Sequence, residues 1–194
     1  MRNAIDNNMK FVDLKNYKFV LEPRYYFYGW SSSSRILGRV SAVKALVKAR
    51  TFLPEGYNFK IWDCYRPRRI QIKMLESFRK RLHIIYPTLS PLARKKRLFT
   101  FGGYPHLRIS HLGTHRRGGA FDLIIVDRAR NELYMGSDHD DLTGRAETDY
   151  FENKKRLTLV EKIAKKNRRL LKRVMRKAKF MNYSPEWWHW SFNK

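Results

Sequence analysis

The sequence has little cysteine and no long apolar stretch. Its 194 residues include a single cysteine, Cys64, which cannot form an internal disulfide. A disulfide-stapled secreted scaffold is therefore excluded, and a reducing compartment fits the composition. No apolar run approaches the roughly 18–20 residues that span a bilayer, and the first residues lack the apolar core of a secretory signal. We expect a globular, cytoplasmic protein that forms one domain over residues 1–194.

Acidic residues are also scarce, at 17 against 42 lysines and arginines, which gives a formal net charge of +25. Such an excess is typical of proteins that bind nucleic acid, because lysine and arginine displace counterions from phosphates. The charge is uneven, however. Residues 154–179 hold 13 basic residues and one acid, whereas residues 127–152 hold eight acids and three basic residues. An acidic block gives no advantage in gripping phosphates, so we expect a solvated basic helix face and no specific nucleic-acid partner.

The spacing of apolar residues predicts both helices and strands. Apolar residues three and four apart predict amphipathic helices over residues 36–47, 69–83 and 154–179. Short strands are predicted over residues 59–62, 120–126 and 187–192, and the aromatic segment 10–30 is predicted to be extended. No fixed-period repeat is present, which excludes a solenoid. The mixed order predicts a single α+β domain with a small antiparallel or mixed sheet and flanking helices.

Histidine and aspartate side chains supply the candidate metal ligands. The pair His111 and His115 lacks the glutamate of the H-E-x-x-H arrangement and is not a zinc motif of that kind. A glycine turn could instead bring His115 to Asp122, and a catalytic zinc commonly takes three protein ligands. His189, three residues after Glu186, is the candidate third. From the residues alone, a metal site stays open beside two structural roles, a paired buried aspartate and a core histidine.

These residues belong to a wider pattern. His115-x-x-Gly118-x-Ala120-x-Asp122 and the later run Glu-Trp-Trp-His at 186–189 resemble the zinc signature of the D-Ala-D-Ala dipeptidases, a family related to the zinc D,D-carboxypeptidases. Further segments are similar to the family in the same order, at residues 11–15, 62–67, 135–137 and 167–171. The resemblance extends from about residue 11 to residue 192. Several separated motifs in one order are more specific than any one of them.

The resemblance implies roles for particular side chains. One zinc ion would be bound by His115, Asp122 and His189. Glu186 would act as general base and acid, taking a proton from the attacking water and passing it to the leaving amine. Arg66 would stabilise the oxyanion of the peptide carbonyl, and its alternative role is a structural ion pair with Asp63.

Glu186 and His189 carry a geometric requirement. Residues three apart point to opposite faces of a regular strand. If both serve one metal centre, Pro185 and a bend at the start of the strand must bring them together.

The resemblance also implies how substrate is recognised. A dipeptidase must bind a free amino group; Asp140 matches the family's position for that contact, and Tyr17 is a second candidate. The implied partner is a small D-amino-acid dipeptide, D-alanyl-D-alanine, hydrolysed to two D-alanines. Two positions depart from the family pattern, since Gly113 replaces a serine and His139 replaces an aromatic residue.

Two other functions stay open at this point. The same zinc core would serve a D,D-carboxypeptidase or a lysin-type endopeptidase that acts on longer peptidoglycan peptides. A different class of function is a catalytically inactive protein that binds nucleic acid or another anionic surface through the basic segment 154–179. Comparison of a free dipeptide with a pentapeptide substrate would separate the two enzyme activities, and the binding protein predicts tight DNA or RNA binding that falls steeply as salt rises.

Overall fold

A five-stranded sheet forms the centre of the computed structural model, which describes residues 9–103 and 114–194. The strands of the chain are β1 (Phe11–Asp13), β2 (Val20–Leu21), β3 (Leu37–Arg39), β4 (Asn58–Asp63), β5 (Ala120–Val126), β6 (Met181–Asn182) and β7 (His189–Ser191). The central sheet has the order β2-β4-β5-β7-β6, and β1 pairs with β3 in a separate two-stranded sheet. All its pairs are antiparallel except β2 with β4, which makes the sheet mixed.

Helices flank this sheet. Their bounds are α1 (Arg24–Phe27), α2 (Val40–Arg50), α3 (Arg68–Ile85), α4 (Pro91–Gly102) and α5 (Leu159–Lys177), with short 3-10 turns at Leu14–Tyr17, His115–Arg117 and Gly144–Ala146. The arrangement confirms the predicted α+β class. Within the two described ranges, no helix combines the length and the apolar content needed to cross a membrane.

Strand β5 is the core of the sheet. All seven of its residues are buried, as the apolar run AFDLIIV predicts. It lies between β4 and β7, and its register places Asp122 opposite Asp63 on one side and opposite His189 on the other. Directly opposed residues of an antiparallel pair have side chains on the same face, close together. The sheet therefore brings three polar side chains into line across its middle.

Helix α5 shows how the basic block folds. A capping box joins Thr158 and Glu161 at its start, satisfying backbone donors that the helix leaves free. Its apolar side packs Ala164, Leu171 and Met175 into the core. The predicted helix over 154–179 is confirmed for residues 159–177. On its outer side Lys165, Arg169 and Lys172 form ion pairs with acids of the segment before the helix.

Three local predictions differ from the structure. The helix predicted from residue 36 begins only at Val40, because Leu37–Arg39 pairs with β1 as a strand. The aromatic residues of 24–27 form a short helix rather than an extended segment, with Tyr25 buried and stacked on Trp30. The last strand is confined to His189–Ser191, since the two preceding tryptophans lie in a turn.

Candidate metal centre

His115 enters the site from a tight turn. It begins the 3-10 turn before Gly118, whose φ of 59° lies in the left-handed region that favours glycine. A Cβ at Gly118 would lie 2.5 Å from the Phe11 ring and 2.9 Å from the Arg39 backbone nitrogen. The backbone carbonyl of His115 accepts a hydrogen bond from the Arg66 backbone nitrogen at 3.1 Å. The turn is thus fixed between β3 and the segment after β4.

The three predicted metal ligands meet at one point. His115 Nε2 lies 3.1 Å from His189 Nδ1 and 3.2 Å from Asp122 Oδ2. His189 Nδ1 lies 3.1 Å from Asp122 Oδ1. One ligand atom of each residue lies within 4.8 Å of those of the other two. A loop turn and two neighbouring strands therefore assemble the set that the sequence motif predicts.

The arrangement fits a tetrahedral metal ion. Ligands about 2.0–2.1 Å from a zinc ion at tetrahedral angles lie roughly 3.3 Å apart, close to the spacing in this cluster. His115 Nδ1 is 2.8 Å from the Cys64 carbonyl oxygen, which can only accept, so this nitrogen carries the proton and Nε2 keeps its lone pair for a cation. Ser191 Oγ, 3.3 Å from His189 Nε2, gives the second imidazole a similar outer partner. Two imidazoles and a carboxylate are a donor set suited to zinc.

Glu186 reaches the same cluster from a turn. Its carboxylate oxygen Oε2 lies 3.7 Å from His189 Nδ1, and the side chain is buried. The turn is closed by the Tyr183 backbone nitrogen, which donates to the His189 carbonyl oxygen at 3.1 Å. The Asn182 side-chain amide donates to the carbonyl oxygens of Glu186 at 3.1 Å and His189 at 3.0 Å. Glu186 precedes the strand, and this bend brings both side chains to one point.

The contacts of Arg66 are compatible with both roles considered from the sequence, the structural ion pair with Asp63 and the stabilisation of an oxyanion. Its Nε donates to Asp63 Oδ2 at 2.8 Å, which is the structural ion pair. Its Nη2 donates to Asp122 Oδ2 at 2.8 Å, so the guanidinium also contacts the group of candidate metal ligands. Gln71 accepts a further hydrogen bond from Nη1 at 3.1 Å. Buried and held on several sides, Arg66 presents a fixed positive charge beside Asp122.

The pKa values of the site follow from burial and close charges. Burial opposes charge on His115, as does Arg66, but the carboxylates of Asp122 and Asp63 raise the pKa of His115 to about 9. Burial would raise the pKa of Asp122, yet its contacts with the imidazoles hold that pKa well below its usual range. Burial lowers the pKa of His189. In the absence of a metal ion, His115 and Asp122 thus favour their charged forms, and a cation bound at His115 Nε2 would displace the proton from that nitrogen.

Glu186 is shifted in the opposite direction. Burial, together with the negative charges of Asp122 and Asp140, raises the pKa of Glu186 well above its usual range, and Arg66 opposes the shift. A raised pKa makes a carboxylate a stronger base, which suits the acceptance of a proton from water. The position and the environment of Glu186 suit proton transfer.

The two predicted substrate-binding residues fare differently. Asp140 is buried, and its charge contributes to the pKa of both Glu186 and Tyr25, which places it beside the centre. Tyr17 packs against the hydrophobic core, and its carbonyl oxygen accepts a hydrogen bond from Arg50. Among the contacts of the described residues, none joins Tyr17 to His115, Asp122 or His189. Its role stays a prediction.

Sequence reasoning missed three residues that the structure brings to the site. Tyr25 lies under Arg66, whose guanidinium carbon is 5.0 Å from the ring centroid. Asp63, considered only as a partner of Arg66, also approaches His115 Nδ1 at 3.1 Å. Asn182 holds the turn that carries Glu186. Tyr25 and Asn182 have no motif of their own, and only the position of Asp63 beside Cys64 and Arg66 could have drawn attention to it.

Two remaining expectations concern neighbouring residues. Cys64, interpreted as a packing residue, is fully buried, and burial raises the pKa of its thiol well above the usual range. Such a thiol stays protonated and unreactive. The departure at Gly113, like His111, falls in residues 104–113, outside the described part of the chain.

Comparison with known proteins gives these residues a family. A family described as D-Ala-D-Ala dipeptidase (peptidase M15) matches residues 29–194. The D-alanyl-D-alanine dipeptidase of Enterococcus faecium is 26% identical over 160 residues, covering 81% of this chain and 73% of that protein. The protein of that name from Escherichia coli K12 is 26% identical over 157 residues, covering 80% and 66%. Its Synechocystis counterpart is 25% identical over 167 residues, covering 79% and 68%. The chain belongs to the D-Ala-D-Ala dipeptidase family of peptidases.

Proposed function

We propose that the protein is a zinc-dependent dipeptidase that hydrolyses D-alanyl-D-alanine to two D-alanines. One observation carries the proposal: His115, Asp122 and His189 converge at tetrahedral spacing with the Glu186 carboxylate at their edge. A zinc ion bound there would polarise the peptide carbonyl and acidify a water molecule. The four relatives found are all named D-alanyl-D-alanine dipeptidases, which supports this substrate.

The residues of the chain divide the reaction between them. Glu186 takes a proton from the attacking water and returns it to the nitrogen of the leaving D-alanine, as its raised pKa favours. Arg66 holds a fixed positive charge beside Asp122, where it stabilises negative charge that develops on the carbonyl oxygen. Asp63 keeps the guanidinium in place through its hydrogen bond to Nε. Because these groups are buried, their charges act through little water.

Substrate length is set at the amino end in this proposal. Asp140 binds the ammonium group of the dipeptide, and a peptide with a longer amino-terminal part lacks that group at the right distance. The two charges attract each other strongly in a buried site, and an uncharged group in place of the ammonium would leave the buried carboxylate unpaired, which is costly. The proposal therefore includes preference for the free dipeptide over a longer peptidoglycan peptide with the same D-Ala-D-Ala end.

The test is release of D-alanine by purified protein loaded with zinc. Three substrates are compared: D-Ala-D-Ala, a pentapeptide ending in D-Ala-D-Ala, and L-Ala-L-Ala. We expect rapid release from the first alone, complete loss on chelation, and recovery when zinc is restored. Glu186→Gln should lower kcat by about 10²–10⁴-fold, the usual contribution of a general base. Glu76→Gln, at an exposed position of α3, is the matched control and should keep full activity.

Each other result has a definite meaning. Faster cleavage of the pentapeptide would make the protein a carboxypeptidase and contradict the dipeptidase proposal. Activity that survives in Glu186→Gln would remove the glutamate from its proposed role. Failure to bind zinc would contradict the metal mechanism as a whole.

A further inference from the structure

His139 is a buried histidine whose place in the fold is not explained by packing. Its side chain is fully buried between two tryptophans, with ring centroids 4.7 Å from Trp62 and 5.3 Å from Trp188. Within the residues that the structure describes, neither ring nitrogen has a hydrogen-bond partner. A buried polar atom without a hydrogen-bond partner costs stability. A phenylalanine would fill the same space without that cost. An unsatisfied buried group in a folded protein calls for an explanation, and a functional role is one of them.

The two nitrogens of His139 face two carboxylates of the site. Nε2 lies 3.6 Å from Asp122 Oδ2, and Nδ1 lies 3.5 Å from Asp140 Oδ2. Both separations are a few tenths of an ångström longer than a good hydrogen bond. The flanking tryptophans hold the ring, so a small movement of one carboxylate would complete a hydrogen bond from the ring nitrogen that carries the proton. The ring thus stands between the metal ligand Asp122 and the proposed ammonium ligand Asp140.

Asp140 is held by its backbone in a way that leaves its carboxylate available. Its φ of 60° lies in the left-handed region, which aspartate tolerates better than most residues. Arg81 Nη2 donates to the Asp140 carbonyl oxygen at 2.6 Å and fixes this conformation. Asp140 and His139 also line a cavity of about 720 Å³. The Asp140 side chain can therefore move between His139 and a bound ligand while its backbone stays in place.

We propose that His139 is a positioning residue that couples the metal-binding carboxylate of Asp122 to the substrate-binding carboxylate of Asp140. The inference rests on the proposed function, because it takes Asp140 as the ligand of the substrate ammonium. A hydrogen bond from His139 orients Asp122 toward the metal, as outer partners of metal ligands do. A neutral imidazole has one N–H, so a hydrogen bond from the other nitrogen to Asp140 competes with the bond to Asp122. Substrate bound at one carboxylate thereby influences the metal site at the other.

The test is a double-mutant cycle read out as zinc affinity, measured by competition with a chromogenic chelator. The variants are His139→Phe, Asp140→Asn and the two together. We expect His139→Phe to weaken zinc binding about tenfold, as loss of an outer partner does. Asp140→Asn should change zinc affinity several-fold when His139 is present and not at all beside His139→Phe. An equal effect of Asp140→Asn in both backgrounds would overturn the proposal.

Two conservative variants distinguish the role of His139 Nε2 from that of Nδ1. Glutamine places its amide nitrogen near the position of Nε2, and asparagine near that of Nδ1. His139→Gln should therefore keep zinc affinity near that of the parent and raise KM for the dipeptide. His139→Asn should weaken zinc binding and keep KM low. If both variants shift zinc affinity and KM by the same factors, the role of His139 is only structural. This pair also serves if His139→Phe does not fold.

The affinity measurements need no turnover, so they distinguish this inference from the proposed function. Parent protein that binds zinc and shows coupling, but releases no D-alanine, would contradict the dipeptidase proposal and support the link through His139. If the parent protein hydrolyses the dipeptide but the effects of His139→Phe and Asp140→Asn on zinc affinity are additive, the dipeptidase proposal is supported and the link through His139 is contradicted.

Discussion

Asn182 offers the sharpest test of how the turn before β7 positions the site. Its side-chain amide donates to the carbonyl oxygens of Glu186 and His189, and its own Oδ1 accepts from the Thr148 hydroxyl at 2.6 Å. Asn182→Ala removes all three hydrogen bonds. Each is worth about 0.5–1.5 kcal/mol net, and the partly exposed position puts the total near the lower end. We expect the free energy of unfolding to fall by about 2 kcal/mol.

The effect of Asn182→Ala on catalysis should be larger than its effect on stability. The two carbonyl groups belong to the residues that supply the proposed base and one metal ligand, so a looser turn displaces both. A displacement of about 1 Å in a site can lower the rate by about 10²-fold. We expect kcat/KM for D-Ala-D-Ala to fall by about 30- to 100-fold, with weaker zinc binding.

The assay combines urea unfolding, zinc competition and D-alanine release for Asn182→Ala and for Asn153→Ala, an exposed asparagine used as control. The control should match the parent in all three measurements. A variant at 182 that loses about 2 kcal/mol of stability yet keeps full activity and zinc affinity would refute the reasoning, because the turn would then be held without the amide.

Other predictions concern the frame and the surface. Gly118→Ala should lower the free energy of unfolding by roughly 2–4 kcal/mol in urea, because its Cβ would meet the Phe11 ring at a left-handed φ. Gly29→Ala, with φ of 69° and nothing within 4 Å of the added Cβ, should cost only about 1–2 kcal/mol. Arg169 holds the pKa of Glu152 at about 2, helped by Lys165 and opposed by burial. Since the folded pKa is below the unfolded one, this pairing stabilises the protein above about pH 4.5 and its effect is lost as pH falls toward 2. Glu152→Gln should therefore lower the free energy of unfolding by under about 1 kcal/mol at pH 7 and by nothing near pH 2, and an equal loss at both would contradict the assignment.

The sequence predicted those helices and strands whose apolar pattern is compatible with only one kind of secondary structure. The run Ala120–Val126 is buried on both faces, so it has to be a central strand. The basic segment has a helical apolar stripe that burial then confirms. The aromatic run around Tyr25 misled, because its strand propensity is overridden by packing of the ring under Arg66 and beside Trp30.

The candidate site was predictable where ligand chemistry restricts residue type, as at His115 and Asp122. It was not predictable where the role depends on tertiary contact. Asn182 acts through two backbone carbonyls that only the folded turn presents, and an asparagine at the end of a short strand carries no signal of that role. The proposed role of His139 likewise depends on the two carboxylates that face its ring nitrogens in the folded protein.

If the protein binds zinc as proposed, the order of strands in the central sheet affects when its metal site is completed. Strand β5 pairs with β7, and the contact between Asp122 and His189 joins residues 67 positions apart in the chain. Closing so long a loop is an entropically costly and slow event in folding. Until it happens, His115 and Asp122 would offer a metal ion only two of the three proposed ligands, so zinc would bind weakly. Tight zinc binding would then require that β7 has paired with β5, and it would stabilise the completed sheet instead of directing its formation.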